Sequence, residues 1–226
     1  MTVIFDLDGT LVNSLYDLGD SVNEALSQYS LPLRSYDEYR MFVGNGTKLL
    51  VSRSVPSSVR DTEIEKAVFE RFSALYEQNC LRKTKPYDGI IEAVCELKKS
   101  GAMLAVASNK PRDFCCKIVE ALFGTKTFDV IEGSRDGVRK KPYPDIIMNI
   151  IARLEADKDE CVIVGDSDVD VETAKNSGMR CVGCSWGFRD RSVLESAGCD
   201  MIIDTPSELP DAVRRLMKIH SFADDR

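Results

Sequence analysis

The chain has 226 residues, of which 43% are hydrophobic and 30% are charged, so it is long and apolar enough to bury one or two cores. This composition excludes an intrinsically disordered protein. Thirty basic residues against 37 acidic ones give a formal net charge of -7 without a basic block, which argues against general nucleic-acid binding.

The first predicted strand covers residues 3–5 and is followed at once by two carboxylates. The segment reads Asp6-Leu7-Asp8-Gly9-Thr10. Side chains alternate along a strand, so Asp6 and Asp8 are expected on the same side of the chain where the strand ends. Ligands of open α/β sheets bind at this carboxyl edge, and the two acids are therefore candidate site residues.

The next region, residues 14–81, contains no convincing strand. Its apolar spacing predicts helices over about 15–26, 37–42, 49–55 and 64–76. Pro86 and Gly89 interrupt the pattern just after it. We therefore predict a helical domain, residues 14–81, inserted into an α/β core made of residues 1–13 and 82–226.

The remainder of the chain alternates short apolar runs with helical spacing. Continuous runs at 103–106, 128–131, 161–164 and 201–203 indicate strands buried on both faces. Helical spacing covers about 90–97, 118–122 and 146–154. This alternation predicts a doubly wound parallel sheet of the Rossmann-like type.

Three of these later elements also end in polar groups. Ser108 and Asn109 follow the strand at 103–106, and Pro111 is expected to open a helix there. Lys140 and Lys141 precede a predicted helix. The strand at 161–164 leads into a second acidic cluster, Gly165-Asp166-Ser167-Asp168-Val169-Asp170.

The predicted edge of the sheet therefore gathers two acidic clusters, a hydroxyl and a lysine. Oxygen ligands without histidine favour Mg²⁺, which prefers carboxylates, waters and a substrate phosphate. A phosphoryl group is then the expected substrate moiety. Its charge would be met by the metal ion, Lys141, Ser108 and the backbone N–H groups around Gly9 and Thr10.

These groups, in this chain order, resemble the four motifs of the haloacid dehalogenase superfamily. The resemblance covers nearly the whole chain, and the helical insertion stands where that superfamily carries a helical-bundle C1 cap. Of the two adjacent lysines, Lys141 is the better match, because it directly precedes Pro142. The four motifs are Asp6-Leu7-Asp8-Gly9-Thr10-Leu11, Ser108, Lys141-Pro142 and Gly165-Asp166-Ser167-x-x-Asp170.

The resemblance implies a role for each motif residue. Asp6 would attack phosphorus to form an aspartyl phosphate, and Asp8 would protonate the leaving alkoxide and then activate water. An acid at Asp8 is typical of phosphatases, since dehalogenases lack it. Ser108, Asn109 and Thr10 would bind the phosphate, while Lys141 would screen its charge. The implied metal ligands are Asp6, the Asp8 carbonyl and Asp166, with Asp170 acting through water or orienting Lys141.

Several segments are similar to phosphoglycolate phosphatases in particular, which implies 2-phosphoglycolate as the first substrate to test. In the insertion, Gly44, Asn45 and Gly46 are expected over the site, and Lys48 is a candidate for a substrate carboxylate; a solvated lysine in a connecting loop is the alternative. Asn13 departs from the aspartate usual in those enzymes. The similar segments are Val43-Gly44-Asn45-Gly46, Ser108-Asn109-Lys110-Pro111, Ser185-Trp186-Gly187-Phe188 and residues 200–204.

Other functions stay open at this point. A sugar-phosphate phosphatase, a pyrophosphatase or a β-phosphoglucomutase would use the same two aspartates. A non-enzymatic signalling receiver also has an acidic Mg²⁺ pocket, although receivers are about half this length and lack the insertion. Gly183-Cys184-Ser185-Trp186-Gly187 fits the GxSxG pattern of serine hydrolases, with His220 downstream, but the match is expected to be accidental.

Composition also bears on metal chemistry and location. A single histidine, His220, rules out multi-histidine zinc sites. Eight cysteines in a chain of this length, several within apolar runs, suit a reducing compartment better than a disulfide framework. No apolar stretch approaches the roughly 20 residues of a membrane span. We expect a cytoplasmic protein that binds a small-molecule phosphate ester and neither nucleic acid nor membrane.

Overall fold

The computed structural model describes residues 1–221, with side chains as far as 217. The main sheet has six strands, β1 (Thr2–Phe5), β4 (Met103–Pro111), β5 (Val130–Ser134), β6 (Cys161–Gly165), β7 (Arg180–Cys184) and β8 (Met201–Ile203). Their order across the sheet is β5-β4-β1-β6-β7-β8, and all neighbouring strands are parallel. This confirms the predicted α/β class.

The central strand β1 is the point where the strand order reverses. From β1 the chain builds outward through β4 and β5 on one side and through β6, β7 and β8 on the other. Helices leave the two sides in opposite directions at such a point and open a crevice at the carboxyl ends of the strands. The ends of β1, β4 and β6 therefore border one crevice.

The burial of β1 follows the alternation of its side chains. Val3 and Phe5 belong to the apolar core on one face of the sheet, and Ile4 belongs to the core on the other face. The first of these cores continues into the helices between residues 15 and 79 through residues such as Leu18 and Tyr76. Burial of both faces explains why the strands are continuous apolar runs.

Between residues 15 and 79 the described chain is helical, apart from loops. The helices there are α1 (Leu15–Gln28), α2 (Tyr36–Phe42), α3 (Thr47–Ser54) and α4 (Glu63–Asn79), close to the predicted bounds, with a short 3-10 turn at Ser57–Val59. The division into a core and an inserted domain stays a prediction. The other helices are α5 (Ile90–Lys99), α6 (Arg112–Phe123), α7 (Asp145–Leu154), α8 (Asp168–Ser177), α9 (Arg191–Ser196) and α10 (Leu209–Ser221).

A two-stranded ribbon joins the ends of this helical segment, and the sequence does not predict it. β2 (Val12–Asn13) pairs antiparallel with β3 (Lys85–Pro86). Each strand has only two residues, so no periodicity marks it. Asn13 also forms a turn before the next helix, in which its side-chain oxygen accepts a hydrogen bond from the Leu15 N–H (3.2 Å).

One predicted strand is displaced along the chain, since the strand expected at 128–131 covers Val130–Ser134. The Asp129 carboxylate accepts a hydrogen bond from the Leu104 N–H (2.8 Å), which holds the residue before β5 beside β4. Pro111 is predicted to open a helix, and it is the N-cap residue of α6, which begins at Arg112, although β4 also runs through it. No helix in the described residues is both long and apolar enough to cross a bilayer.

Candidate active site

The turn after β1 carries Asp6 and Asp8 into the crevice. The Asp6 N–H donates to the Val164 carbonyl (2.8 Å), which continues the β1–β6 pairing by one residue. Gly9 then adopts a φ of +94°, and a Cβ atom there would lie 2.3 Å from a carboxylate oxygen of Asp166. Glycine is therefore required both by the backbone conformation and by the close approach of Asp166.

Lys141 lies between two buried carboxylates. Its Nζ donates to Asp6 Oδ1 (2.9 Å) and to Asp170 Oδ1 (2.7 Å). The second oxygen of Asp170 accepts a hydrogen bond from the Ser167 hydroxyl (2.6 Å). Both oxygens of Asp170 are thus committed to neighbours, and this arrangement fits a role in orienting Lys141. Lys141 is thus the lysine in contact with these carboxylates, and its role as the motif lysine in preference to Lys140 stays a prediction.

Three carboxylates meet at the end of β1 and β6. One oxygen from each of Asp6, Asp166 and Asp170 lies within 4.8 Å of the other two. Burial is the main cause that raises the pKa of Asp6 to about 6, against a lowering effect of Lys141, and burial together with Asp170 and Asp6 raises the pKa of Asp166 to about 8. One ammonium group does not balance three buried carboxylates, and the oxygen donor set fits a hard divalent cation such as Mg²⁺.

The metal-free protein is expected to lose stability as the pH rises from about 5 to 8. Asp6 and Asp166 have pKa values of about 6 and about 8 in the fold, above the value of 3.8 for a free aspartate. The folded state therefore holds their protons more tightly, and its free energy of unfolding falls as they ionise. Mg²⁺ should raise Tm, and more at about pH 8 than at about pH 5.5, since it binds the ionised form.

Thermal unfolding in EDTA and in Mg²⁺ across this pH range tests the expectation. In EDTA, Asp166→Asn should have a shallower loss of Tm with rising pH than the wild type, because it removes the carboxyl with the larger shift. The variant should also gain less from Mg²⁺. Equal pH slopes for the two proteins would contradict the assignment.

Asp166 is held in place by two hydrogen bonds from other segments. Its Oδ2 accepts from the Phe188 N–H (2.7 Å), and its Oδ1 accepts from the Thr10 hydroxyl (3.1 Å). The Thr10 carbonyl in turn accepts from the indole N–H of Trp186 (3.1 Å). The Thr10 hydroxyl, predicted to bind phosphate, is thus turned towards a carboxylate here, and the loop around Trp186 supports the acidic cluster.

Asp8 is not one of the three clustered carboxylates, and it has a cationic partner of its own. The Lys110 ammonium donates to both of its carboxylate oxygens (2.6 and 2.7 Å), and the Ser14 hydroxyl donates to one of them (2.5 Å). Lys110 is buried and also lies 5.0 Å from the ring centroid of Tyr76 in α4. It was not among the predicted site residues, although its spacing of two from Ser108 could have suggested it.

A small cavity of about 30 Å³ lies above these groups, between the strand ends and the helices. The Asn109 side-chain amide donates to the Gly44 carbonyl (3.1 Å) and to the Lys141 carbonyl (3.0 Å). The first of these hydrogen bonds connects the end of β4 to the loop between α2 and α3. The cavity is lined by Asp6, Asp8, Leu18, Val43, Gly44, Gly46, Thr47, Leu50, Ser108, Asn109 and Lys110.

Most of the predicted glycine-rich segment reaches this cavity, but its lysine does not. Gly44 and Gly46 line it, whereas the Asn45 side chain accepts a hydrogen bond from Arg53 (3.0 Å). Lys48 is exposed and lines a separate groove along α4. In the serine-hydrolase pattern, the Ser185 hydroxyl donates to Asp204 (2.6 Å), and the His220 side chain lies outside the described residues.

Known proteins share both the sequence and the fold of this chain. Residues 3–184 match the family model of the haloacid dehalogenase-like hydrolases. The chain is 33% identical over 195 residues to the phosphoglycolate phosphatase of Mesorhizobium japonicum, covering 85% of this chain and 86% of that protein. It is 31% identical to the phosphoglycolate phosphatase of Caulobacter vibrioides, covering 96% of this chain and 92% of that protein.

Solved structures extend the similarity to three dimensions. A Lactobacillus delbrueckii subsp. bulgaricus protein, solved under the provisional name phosphoglycolate phosphatase, has a TM-score of 0.86 at 33% identity, covering 94% of this chain and 97% of that one. CbbY from Rhodobacter sphaeroides, solved in complex with phosphate, has a TM-score of 0.73 at 28% identity, covering 92% and 95%. The fold of this chain is thus shared with known proteins.

Proposed function

Because the chain belongs to the haloacid dehalogenase-like hydrolases and is a phosphatase of that family, we propose that it is a Mg²⁺-dependent phosphomonoesterase that forms an aspartyl phosphate on Asp6. The observation that carries the proposal is the pairing of two aspartates with different surroundings. Asp6 contacts Lys141 beside the acidic cluster, and Asp8 contacts Lys110 at the cavity. Such a pair can divide the roles of nucleophile and acid–base catalyst.

In the first step a carboxylate oxygen of Asp6 attacks phosphorus opposite the leaving oxygen. Lys141 is hydrogen-bonded to Oδ1, so we assign the attack to Oδ2. The new bond joins Oδ2 to phosphorus, the bond from phosphorus to the ester oxygen breaks, and protonated Asp8 gives its proton to the leaving alkoxide. Lys141 remains beside the phosphoryl group and offsets its negative charge.

In the second step Asp8, now a carboxylate, removes a proton from water. The water oxygen bonds to phosphorus, the bond to Asp6 breaks, and inorganic phosphate leaves with Asp6 restored. Lys110 and Ser14 hold Asp8 at the cavity for both steps. Asp6, Asp166 and the main-chain carbonyl of Asp8 would hold Mg²⁺, which when bound draws charge from the phosphoryl oxygens.

We propose 2-phosphoglycolate as the substrate. Relatives named phosphoglycolate phosphatase are about a third identical in sequence to this protein over most of its length. The small cavity favours a compact ester over a hexose phosphate. Among the residues that line it, Lys110 has the only ammonium or guanidinium group. Lys110 is therefore the better placed of the two lysines to attract a substrate carboxylate, because Lys48 is exposed and lines a separate groove.

Phosphate release from a panel of small phosphomonoesters, with Mg²⁺ and with EDTA, tests the activity and the substrate together. Turnover should need Mg²⁺, and kcat/KM for 2-phosphoglycolate should exceed that for sugar phosphates by at least about tenfold, which corresponds to one discriminating contact. A sugar-phosphate or pyrophosphate preference would replace the substrate and keep the chemistry. Isomerisation of β-glucose 1-phosphate without phosphate release would indicate a mutase, and a long-lived phosphoprotein would indicate a receiver.

Two further expectations belong to the same proposal. We propose that residues 14–81 act as a cap over the site, supported by the lining of one cavity by Gly44 and Gly46 together with Asp6 and Ser108. We also propose a cytoplasmic location, supported by eight cysteines that are all free thiols, as is usual in a reducing compartment.

A further inference from the structure

The C-terminal end of α2 is held by an arginine from a distant part of the chain. The Arg189 guanidinium donates hydrogen bonds to three backbone carbonyls, those of Arg40, Met41 (3.3 Å) and Val43 (2.7 Å). The last carbonyls of a helix have no partner within the helix, and they form the negative end of its dipole. A cation that meets three of them is therefore well suited to fix this end of α2.

The contact is reciprocal, since α2 and the loop around residues 185–190 each donate hydrogen bonds to the other. Arg40 of α2 donates back to the carbonyl of Gly187 (3.3 Å), two residues before Arg189. The remaining carbonyl at this helix end, that of Phe42, accepts from Arg53 of α3 (2.9 Å). The end of α2 thus has its carbonyls satisfied only while the loop around residues 185–190 lies against it.

That loop is itself fixed to the acidic cluster. The Phe188 N–H donates to Asp166, and a Cβ atom on Gly187 would lie 2.2 Å from the Cβ of Asp166, so the backbone is packed directly on this residue. Trp186 is anchored on the Thr10 carbonyl. Arg189 therefore belongs to a loop whose position is fixed by its contacts with Asp166 and Thr10.

On the other side, the residues that Arg189 holds lead directly into the cavity. Val43 accepts one of its hydrogen bonds, and a Cβ on Gly44 would lie 3.5 Å from the Arg189 guanidinium. Val43, Gly44 and Gly46 line the cavity above Asp6 and Asp8. Arg189 thus connects the loop beside Asp166 to the segment that closes the site.

We propose that Arg189 is a positioning residue that holds residues 43–46 over the reacting groups and so sets the affinity for the phosphate ester. The proposal rests on the proposed function for its kinetic part. Without the guanidinium, three carbonyls turn to water for partners, and the arrangement in which α2 lies against the loop becomes less populated. Substrate binding must then supply the free energy of closure, which raises KM and leaves kcat nearly unchanged at saturation.

The kinetic test compares Arg189→Ala with Arg189→Lys and with Arg191→Ala. Arg189→Ala should raise KM for the preferred ester by on the order of tenfold or more, with kcat within about threefold and the Mg²⁺ dependence unchanged. Arg189→Lys should be intermediate, because one ammonium cannot span three carbonyls. Arg191 is the matched control, since it lies two residues away and pairs with Glu195 and Asp204 instead of α2.

Hydrogen exchange provides a readout that needs no activity. In Arg189→Ala the backbone amides of residues 40–43, which are hydrogen-bonded in the last turn of α2, should exchange on the order of tenfold faster than in the wild type and in Arg191→Ala, while amides in the interior of α4 keep their protection. If the wild type hydrolyses no ester, the proposed function fails and the exchange result still decides the role of Arg189. Unchanged exchange at residues 40–43, or a fall in kcat and Mg²⁺ affinity at constant KM, would overturn the proposal.

Discussion

Asp6→Asn should reduce phosphate release by on the order of 10⁴-fold or more, the scale of loss when a covalent nucleophile is removed. The amide cannot form the aspartyl phosphate, because its oxygen is a poor nucleophile and its nitrogen carries no available lone pair. Asn also has nearly the same shape as Asp, so the contacts around Lys141 and the strand ends can persist. Steady-state phosphate release with Mg²⁺ present, compared at equal protein concentration, measures the effect.

Stability measurements separate this loss from misfolding. Asp6 is buried and its pKa is raised, so replacing it removes a charge that the fold accommodates at a cost, and Lys141 retains Asp170 as its partner. In EDTA at about pH 8, Tm of Asp6→Asn should equal or exceed that of the wild type.

Asp168→Asn is the matched control for the loss of activity. Asp168 belongs to the second acidic motif but not to the buried trio, and its variant should keep wild-type activity to within about twofold. Turnover by Asp6→Asn at a rate near wild type would rule out Asp6 as the nucleophile.

The parts of the fold that the sequence predicts are those dictated by local pattern. Residues 3–5 and 161–164 are continuous apolar runs, and both are central parallel strands buried on two faces. A chain that places carboxylates directly after each of these strands must bring them to one edge of the sheet, because neighbouring parallel strands end on the same side. Asp6, Asp166 and Asp170 therefore meet as the topology requires.

The features that the sequence does not predict depend on packing between distant segments. Lys110 lies between Asp8 and Tyr76, and only the position of α4 over the strand ends brings that ring to the lysine. The contact of Arg189 with the end of α2 joins positions nearly 150 residues apart. The ribbon β2–β3 likewise exists because the two ends of the helical segment lie side by side. Local propensity contains no information about such pairings.

Charge balance is the other property that only the structure provides. The sequence alone does not show which aspartates of the two acidic motifs have a cationic partner. In the fold, Asp8 has a lysine on both of its oxygens, whereas Asp166 has an N–H and a hydroxyl and no cation within hydrogen-bonding distance among the contacts described. The first arrangement holds at the cavity the carboxyl that we propose as the acid–base group, and the second leaves negative charge that a metal ion could neutralise.

Asp8→Asn should separate the two chemical steps. With an alkyl phosphate the leaving alkoxide needs a proton, so kcat should fall by roughly 10² to 10⁴, the usual contribution of a general acid. With p-nitrophenyl phosphate the leaving group is stable as an anion, so Asp6 can still be phosphorylated. Hydrolysis of the aspartyl phosphate then lacks its base and becomes slow.

The expected result is therefore a burst of p-nitrophenolate close to one equivalent per protein, followed by slow turnover, with a protein heavier by one phosphoryl group in the mass spectrum. Asn at position 8 can still accept hydrogen bonds from Lys110 and Ser14, which keeps the geometry of the turn. Ser14→Ala removes one of these contacts but keeps the acid, and it should cost less than about tenfold in kcat and give no burst. Equal losses with both esters and no phosphoprotein would show that Asp8 does not serve both steps. Phosphorylation of Asp8→Asn that disappears when Asp6 is also replaced would identify the acceptor.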